Sequence, residues 1–200
     1  MFRSAMILVA AITVTALAGG DQVFSGPQAG EKLTPFKVHA FSGPQAGKEI
    51  QLLADPKETP RLVIFVHEIT RPALQLLRPV DQYAKRLAAD GLETHVVWLT
   101  ADKTKTEAYL EQAKKSLALQ APVVISLDGI EGPGNYGLNR KVTLTLLVAK
   151  GNKVVANFAI VQPNETDAPK VGAALAKLMG KQAPTLEQMR GDGDAKGRPK

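Results

Sequence analysis

Apolar residues along the chain fall into two rhythms. Residues 61–67 (RLVIFVH) are apolar almost without interruption, the signature of a central strand covered on both faces. Residues 94–100 (THVVWLT) and 122–127 predict two more buried strands. Residues 143–149 (TLTLLVA) and 154–161 (VVANFAIV) flank the short turn Lys150-Gly-Asn-Lys153, which predicts an antiparallel hairpin. Two shorter runs, 35–41 and 49–53, predict strands near the N-terminus, the second followed by a turn over 56–60.

The second rhythm is helical. Over 72–89, Leu74, Leu77, Val80, Ala84 and Leu87 recur at helical spacing, with Pro72 suited to the first turn and Gly91 to the C-terminal cap. Pro79 lies inside the pattern and removes a backbone donor, so a kink or break is expected near Leu76 or Leu77. A second helix over 104–119 would turn Ala108, Leu110, Ala113 and Leu117 inward, and a third over 167–179 would turn in Val171, Leu175 and Leu178. Beyond Pro184 the glycine-rich, charged chain has little to bury and is expected to be disordered. From residue 48 to 180 the order is β-α-β-α-β-β-α, with a parallel crossover half and a hairpin half, helices being expected on both sheet faces.

A heptapeptide occurs twice: Phe24-Ser-Gly-Pro-Gln-Ala-Gly30 and Phe41-Ser-Gly-Pro-Gln-Ala-Gly47. Gly-Pro and a closing Gly are turn residues, so the pair reads as two similar turns flanking the strand between them. A ligand-binding repeat array would need more copies.

The first eighteen residues carry one charge, Arg3, and an uncharged run from Ala5 to Ala18 ending in Ala16-Leu17-Ala18. A run of that length is short for a membrane span and suits an export signal cleaved near Ala18, leaving no stable span. The expected organisation is therefore a signal peptide (1–18), an N-terminal extension with the repeated heptapeptide (19–47), a folded domain (48–181) and a disordered tail (182–200). The mature protein is expected to be periplasmic or secreted.

There is no cysteine among the 200 residues. Disulfide, thiolate and lipid-anchor chemistry are thereby excluded, and the core alone must hold the domain. His39, His67 and His95 are scattered, so neither a metal nor a cofactor is expected. The net charge of +6 comes partly from Arg190, Lys196, Arg198 and Lys200 in the tail and from Lys103, Lys105, Lys114 and Lys115 on the second helix. Those helix lysines alternate with Asp102, Glu107 and Glu111, as on a solvated face, and with aromatic residues at 5% nothing supports nucleic-acid binding. Asp128 to Asn135 lacks the ligand spacing of a calcium loop and reads as a plain loop.

Four stretches in order resemble the redoxin branch of the thioredoxin-like fold, the peroxiredoxins and related exported thiol proteins: residues 30–38 (GEKLTPFKV), 62–66 (LVIFV), 96–102 (VVWLTAD) and 143–155. The resemblance implies an α/β protein, a thioredoxin-like three-layer α/β/α sandwich with a mixed central sheet and an N-terminal β extension. It also implies a redox cysteine between the first central strand and the following helix, where the helix N-terminus stabilises a thiolate. Here that stretch is His67-Glu-Ile-Thr-Arg-Pro-Ala-Leu74, without sulfur, and the place of the fold's cis-proline is taken by Arg140-Lys-Val-Thr143.

These departures predict a redox-inactive member of the fold that binds a protein or peptide partner. The candidate surface is His67, Glu68, Thr70 and Arg71, at a strand end and helix start where α/β proteins often bind ligands. Thr70 before Pro72 also suits a helix N-cap. The alternative is a cofactor-free enzyme of the hydrolase type using His67, Glu68 and Arg71 with Asp102, although adjacent strand residues point to opposite faces.

Overall fold

The structure, a computed structural model, describes residues 23–55 and 57–191. The expected signal segment with its cleavage site, and the last nine residues of the tail, lie outside the described residues.

The strands are β1 (Phe36–Ala40), β2 (Glu49–Leu52), β3 (Pro60–Val66), β4 (Glu93–Trp98), β5 (Val123–Ser126), β6 (Leu144–Lys150) and β7 (Lys153–Ile160). They form one mixed sheet in the order β2-β1-β5-β4-β3-β6-β7. The core β5-β4-β3 is parallel, and β1 and β6 join it antiparallel on either side. The apolar run of β3 is central for the reason its sequence suggested: from Leu62 to Val66 every side chain is fully buried, in alternation on the two faces.

The described residues also form helices α1 (Arg71–Leu87), α2 (Lys103–Leu117), α3 (Ala168–Leu178) and α4 (Leu186–Arg190). On one face Leu62, Ile64, Val66, Val96 and Leu146 meet side chains of all four helices. On the other, Val63, Phe65, Val97 and Leu147 are covered by Leu33 and Tyr136, with Leu138 packed beside them. That cover comes from the segment before β1 and from the loop between β5 and β6. Phe36, Phe65 and Tyr136 cluster beneath it with ring centroids 5.4 to 5.8 Å apart.

Several boundaries change. The hairpin of β1 and β2 crosses residue 47, so the N-terminal extension is part of the sheet, with β1 hydrogen-bonded between β2 and β5. α1 is one continuous element through the buried Pro79, without a break. Ala108 is exposed and Thr106 takes the inward position on α2. Residues 182–191, expected to be disordered, are ordered: Thr185 caps α4, whose Met189 is fully buried against α1 and α3. Arg86 of α1 holds α4 by donating to the Met189 carbonyl at 3.0 Å. The few apolar residues after Pro184 sufficed for one turn because a pocket awaited them.

The two heptapeptides flank β1 as turns, in different surroundings. The second closes the β1–β2 hairpin, with Gly47 N–H donating to the Ala40 carbonyl at 2.8 Å and Ser42 Oγ accepting from Val123 N–H at 2.9 Å. The first lies against β6 and β7, where Asn157 donates its amide to the carbonyls of Ser25 and Pro27, each at 2.8 Å.

Candidate functional site

Because β3 and β4 are parallel and in register, Val66 beside Trp98, their C-terminal ends emerge together. Leu99 N–H continues the ladder by donating to the Val66 carbonyl at 3.1 Å. The expected site residues follow β3 directly. Thr70 has extended backbone, and its hydroxyl accepts from Ala73 N–H at 3.2 Å, so it caps α1 where the resemblance places the thiol region. Asp102 does the same for α2, accepting from Lys105 N–H at 3.0 Å. That backbone bond holds the Asp102 carboxyl below the ordinary carboxylate range. Both oxygen side chains are engaged in ending their loops.

His67 continues β3 by donating its N–H to the Thr143 carbonyl at 3.1 Å. Its Nε2 lies 3.1 Å from Thr145 Oγ1, which is 2.6 Å from the buried Ser25 Oγ. Ser25 Oγ in turn accepts from Asn139 N–H at 3.0 Å. Burial lowers the imidazole pKa to about 4, so the ring is neutral at physiological pH. The ring therefore points to the face covered by the N-terminal segment, in a chain of neutral hydrogen bonds.

Glu68 and Arg71 are exposed, and among the described residues neither forms an ion pair. The structure thus brings His67, Thr70 and Asp102 into the framework and leaves Glu68 and Arg71 facing solvent. At the proline position of the resemblance, Thr143 Oγ1 donates to the Val161 carbonyl at 2.8 Å and Arg140 pairs with Glu131. No cis peptide bond occurs among the described residues. The loop after β5 packs inward, with the Tyr136 hydroxyl donating to the Thr34 carbonyl at 2.8 Å. Burial raises the Tyr136 pKa, which keeps the phenol neutral.

Sequence reasoning did not find Ser25, Thr145 or Asn139. Nothing in a local pattern couples residues 78 and 120 positions apart. The one available signal was the polar Thr145 inside an apolar strand.

No family model matches the chain. No curated protein matches it either. Solved structures do match. A putative thiol:disulfide interchange protein DsbE from Chlorobium tepidum is 18% identical with a TM-score of 0.58, over 80% of this chain and 100% of that one. Peroxidoxin BcpB from Mycobacterium tuberculosis is 16% identical with a TM-score of 0.54, over 76% and 97%. The exposed lipoprotein thioredoxin Etrx1 of Streptococcus pneumoniae is 18% identical with a TM-score of 0.51, over 72% and 99%. The chain thus has the thioredoxin-like fold of these structures, built without any cysteine.

Proposed function

We propose that the chain is an exported, redox-inactive thioredoxin-fold protein that binds a protein or peptide through the surface at the end of β3 and the start of α1. The observation that carries this reading is the division of labour within residues 67–71. His67 and Thr70 are tied into the framework, while Glu68 and Arg71 stand free at the place where the fold otherwise works on partner chains. A charged pair without internal partners offers steering and specificity rather than stability. The hydrolase alternative gains no support, since His67 Nε2 is engaged by Thr145 and among the described residues no ion pair joins His67 to Glu68. Export rests on the apolar run from Ala5 to Ala18, and a structural neighbour described as an exposed lipoprotein is in keeping with it.

The test is capture from the exported fraction by the whole mature chain, through residue 200 because α4 belongs to the domain. The comparison is wild type against the double variant Glu68→Ala, Arg71→Ala, both checked for unchanged circular dichroism. A partner retained by wild type and lost by the variant is the expected result. Equal capture by both would overturn the assignment of the surface.

A further inference from the structure

His67 is tied down by one ring nitrogen only, and the direction of the bonds that tie it decides what the other nitrogen carries. The chain of bonds starts at a fixed donor, Asn139 N–H, which donates to Ser25 Oγ at 3.0 Å. Ser25 is fully buried, and among the described residues its own hydroxyl proton has one acceptor, Thr145 Oγ1 at 2.6 Å. Thr145 is fully buried too, and its proton in turn has one acceptor, His67 Nε2 at 3.1 Å. A buried hydroxyl that fails to donate is costly, so both donate and the bonds run one way, from Asn139 to His67. Nε2 therefore accepts. Burial keeps the ring neutral near pH 7, and in a neutral imidazole whose Nε2 accepts the proton sits on Nδ1.

The surroundings hold this arrangement in place. Asn157 donates to the Ser25 carbonyl at 2.8 Å and Asn139 Nδ2 to the Phe24 carbonyl at 3.2 Å, so Ser25 is gripped through its backbone as well. A Cβ on Gly26 would lie 3.2 Å from Thr145 Cγ2, which places the threonine methyl against that glycine and leaves the hydroxyl for Ser25 and His67. The same serine in the second heptapeptide, Ser42, accepts from Val123 N–H and reaches no histidine.

The three histidines also differ in their second nitrogen. Nδ1 of His39 and Nδ1 of His95 are enclosed without a partner. Nδ1 of His67 is not among the enclosed atoms, and no described residue bonds it. The half-buried ring thus has one nitrogen in the framework and a free N–H beside the exposed Glu68 and Arg71.

We propose that His67 presents Nδ1–H as a fixed hydrogen-bond donor to a peptide carbonyl of the bound partner, with Ser25 and Thr145 as the positioning residues that set its tautomer. This rests on the reading of the β3 end and α1 start as a partner surface, and it names what that surface recognises between its two charges. A single neutral N–H matches a single neutral carbonyl oxygen. A carboxylate would be opposed by Glu68 as much as it is drawn by Arg71, and would lack the second donor that bidentate binding uses.

Two-bond proton–nitrogen correlation spectra of the labelled mature chain at pH 7 read the tautomer of each ring. His67 should carry its proton on Nδ1, and Thr145→Ser should keep it there. Thr145→Val, which removes the donor to Nε2, should leave a mixture of the two forms. A titration then tests the acceptor: acetyl-Ala-Ala-Ala-amide offers carbonyls without charge, and acetate offers a charged acceptor. The peptide should shift the His67 Nδ1 and Hε1 resonances at least threefold more than acetate at the same concentration, and Thr145→Val should reduce the peptide's shift at least twofold. A proton on Nε2 in wild type, no His67 shift with the peptide, or an equal shift with acetate would each overturn the proposal. Should Thr145→Val not fold, the wild-type tautomer and the two titrations decide it. Loss of capture in the Glu68→Ala, Arg71→Ala variant with no peptide shift at His67 would sink this proposal alone. A peptide shift with undiminished capture would sink only the assignment of the charged pair.

Discussion

At His67 a titratable side chain is governed by burial rather than by a charge partner. Its ordinary pKa of 6.5 is lowered to about 4 in the folded chain. Between those values the unfolded chain binds the proton and the folded one does not, so stability rises with pH through that window and falls as the medium is acidified from neutrality. Allowing for the ring's partial contact with water, the share belonging to His67 is about 1–2 kcal/mol. His67→Gln is neutral at every pH and long enough to reach Thr145. Urea unfolding at pH 7 and pH 4.5 should show a smaller acid loss in the variant than in wild type, by about that amount. An identical pH dependence in both would mean that His67 is more hydrated than its bond to Thr145 implies. His95 acts in the same direction, which is why the difference between variants, and not the wild-type slope alone, is the diagnostic quantity.

At the level of elements, single buried groups set how neighbouring pieces dock. Asp81 of α1 is 1% exposed, and its carboxylate accepts from Gln120 N–H at 2.6 Å and Ala121 N–H at 2.9 Å, fastening the segment between α2 and β5. Burial raises its pKa, outweighing the pull of those two bonds, so the net effect of ionising Asp81 is to lower stability as pH rises above the ordinary value of 3.8. Asp81→Asn keeps one acceptor and loses the other, at a cost of about 1 kcal/mol, and should speed amide exchange at Gln120 or Ala121. Unchanged exchange at both would contradict that fastening. α4 docks differently. A Cβ on Gly172 of α3 would lie 2.7 Å from Met189 Sδ and 2.9 Å from the Pro184 ring. Gly172→Ala gains up to about 1 kcal/mol of helix propensity but overpacks this contact by about 1–3 kcal/mol, so a net loss is expected. Met189→Ala alone should cost about 2–4 kcal/mol, and less in the Gly172→Ala background, where the pocket is already disturbed. Additive losses in urea unfolding would separate the two sites. Elements of this size differ in how far the sequence discloses them. β3 was legible because burial on both faces leaves no polar interruption. α4 was not, because Leu186 and Met189 are too few to make a pattern without the pocket that receives them. Thr70 was legible as a cap from its place before Pro72, whereas the partners of His67 were not, lying far along the chain. The stagger between β4 and β5 is likewise a property of pairing that neither strand carries in its own residues.

For the molecule as a whole, the absence of cysteine places the full weight of stability on two cores, one beneath helices and one beneath loops. The second depends on residues 24–34, which contribute Leu33 at 2% exposure, the buried Ser25 and the carbonyls held by Asn157. Burying a leucine is worth about 1.5–3 kcal/mol, and losing several buried hydrogen bonds adds about 1 kcal/mol each, against a net stability of roughly 5–15 kcal/mol for a domain. A chain starting at Pro35 should therefore lose a large fraction of its stability, bind a hydrophobic dye through the uncovered Phe36, Phe65 and Tyr136 cluster, and melt over a broader range than a chain starting at Val23. The unfolding midpoint of both should be the same with and without reductant, since no disulfide links any part of the fold. A chain starting at Pro35 that unfolds at the midpoint of the longer one would show that the helix-covered core alone sustains the sheet. The N-terminal segment would then be free to serve binding rather than stability. A lowered midpoint with dye binding instead makes that segment the cover of the second core, with the first heptapeptide presenting Ser25 to Thr145 while the second closes a hairpin.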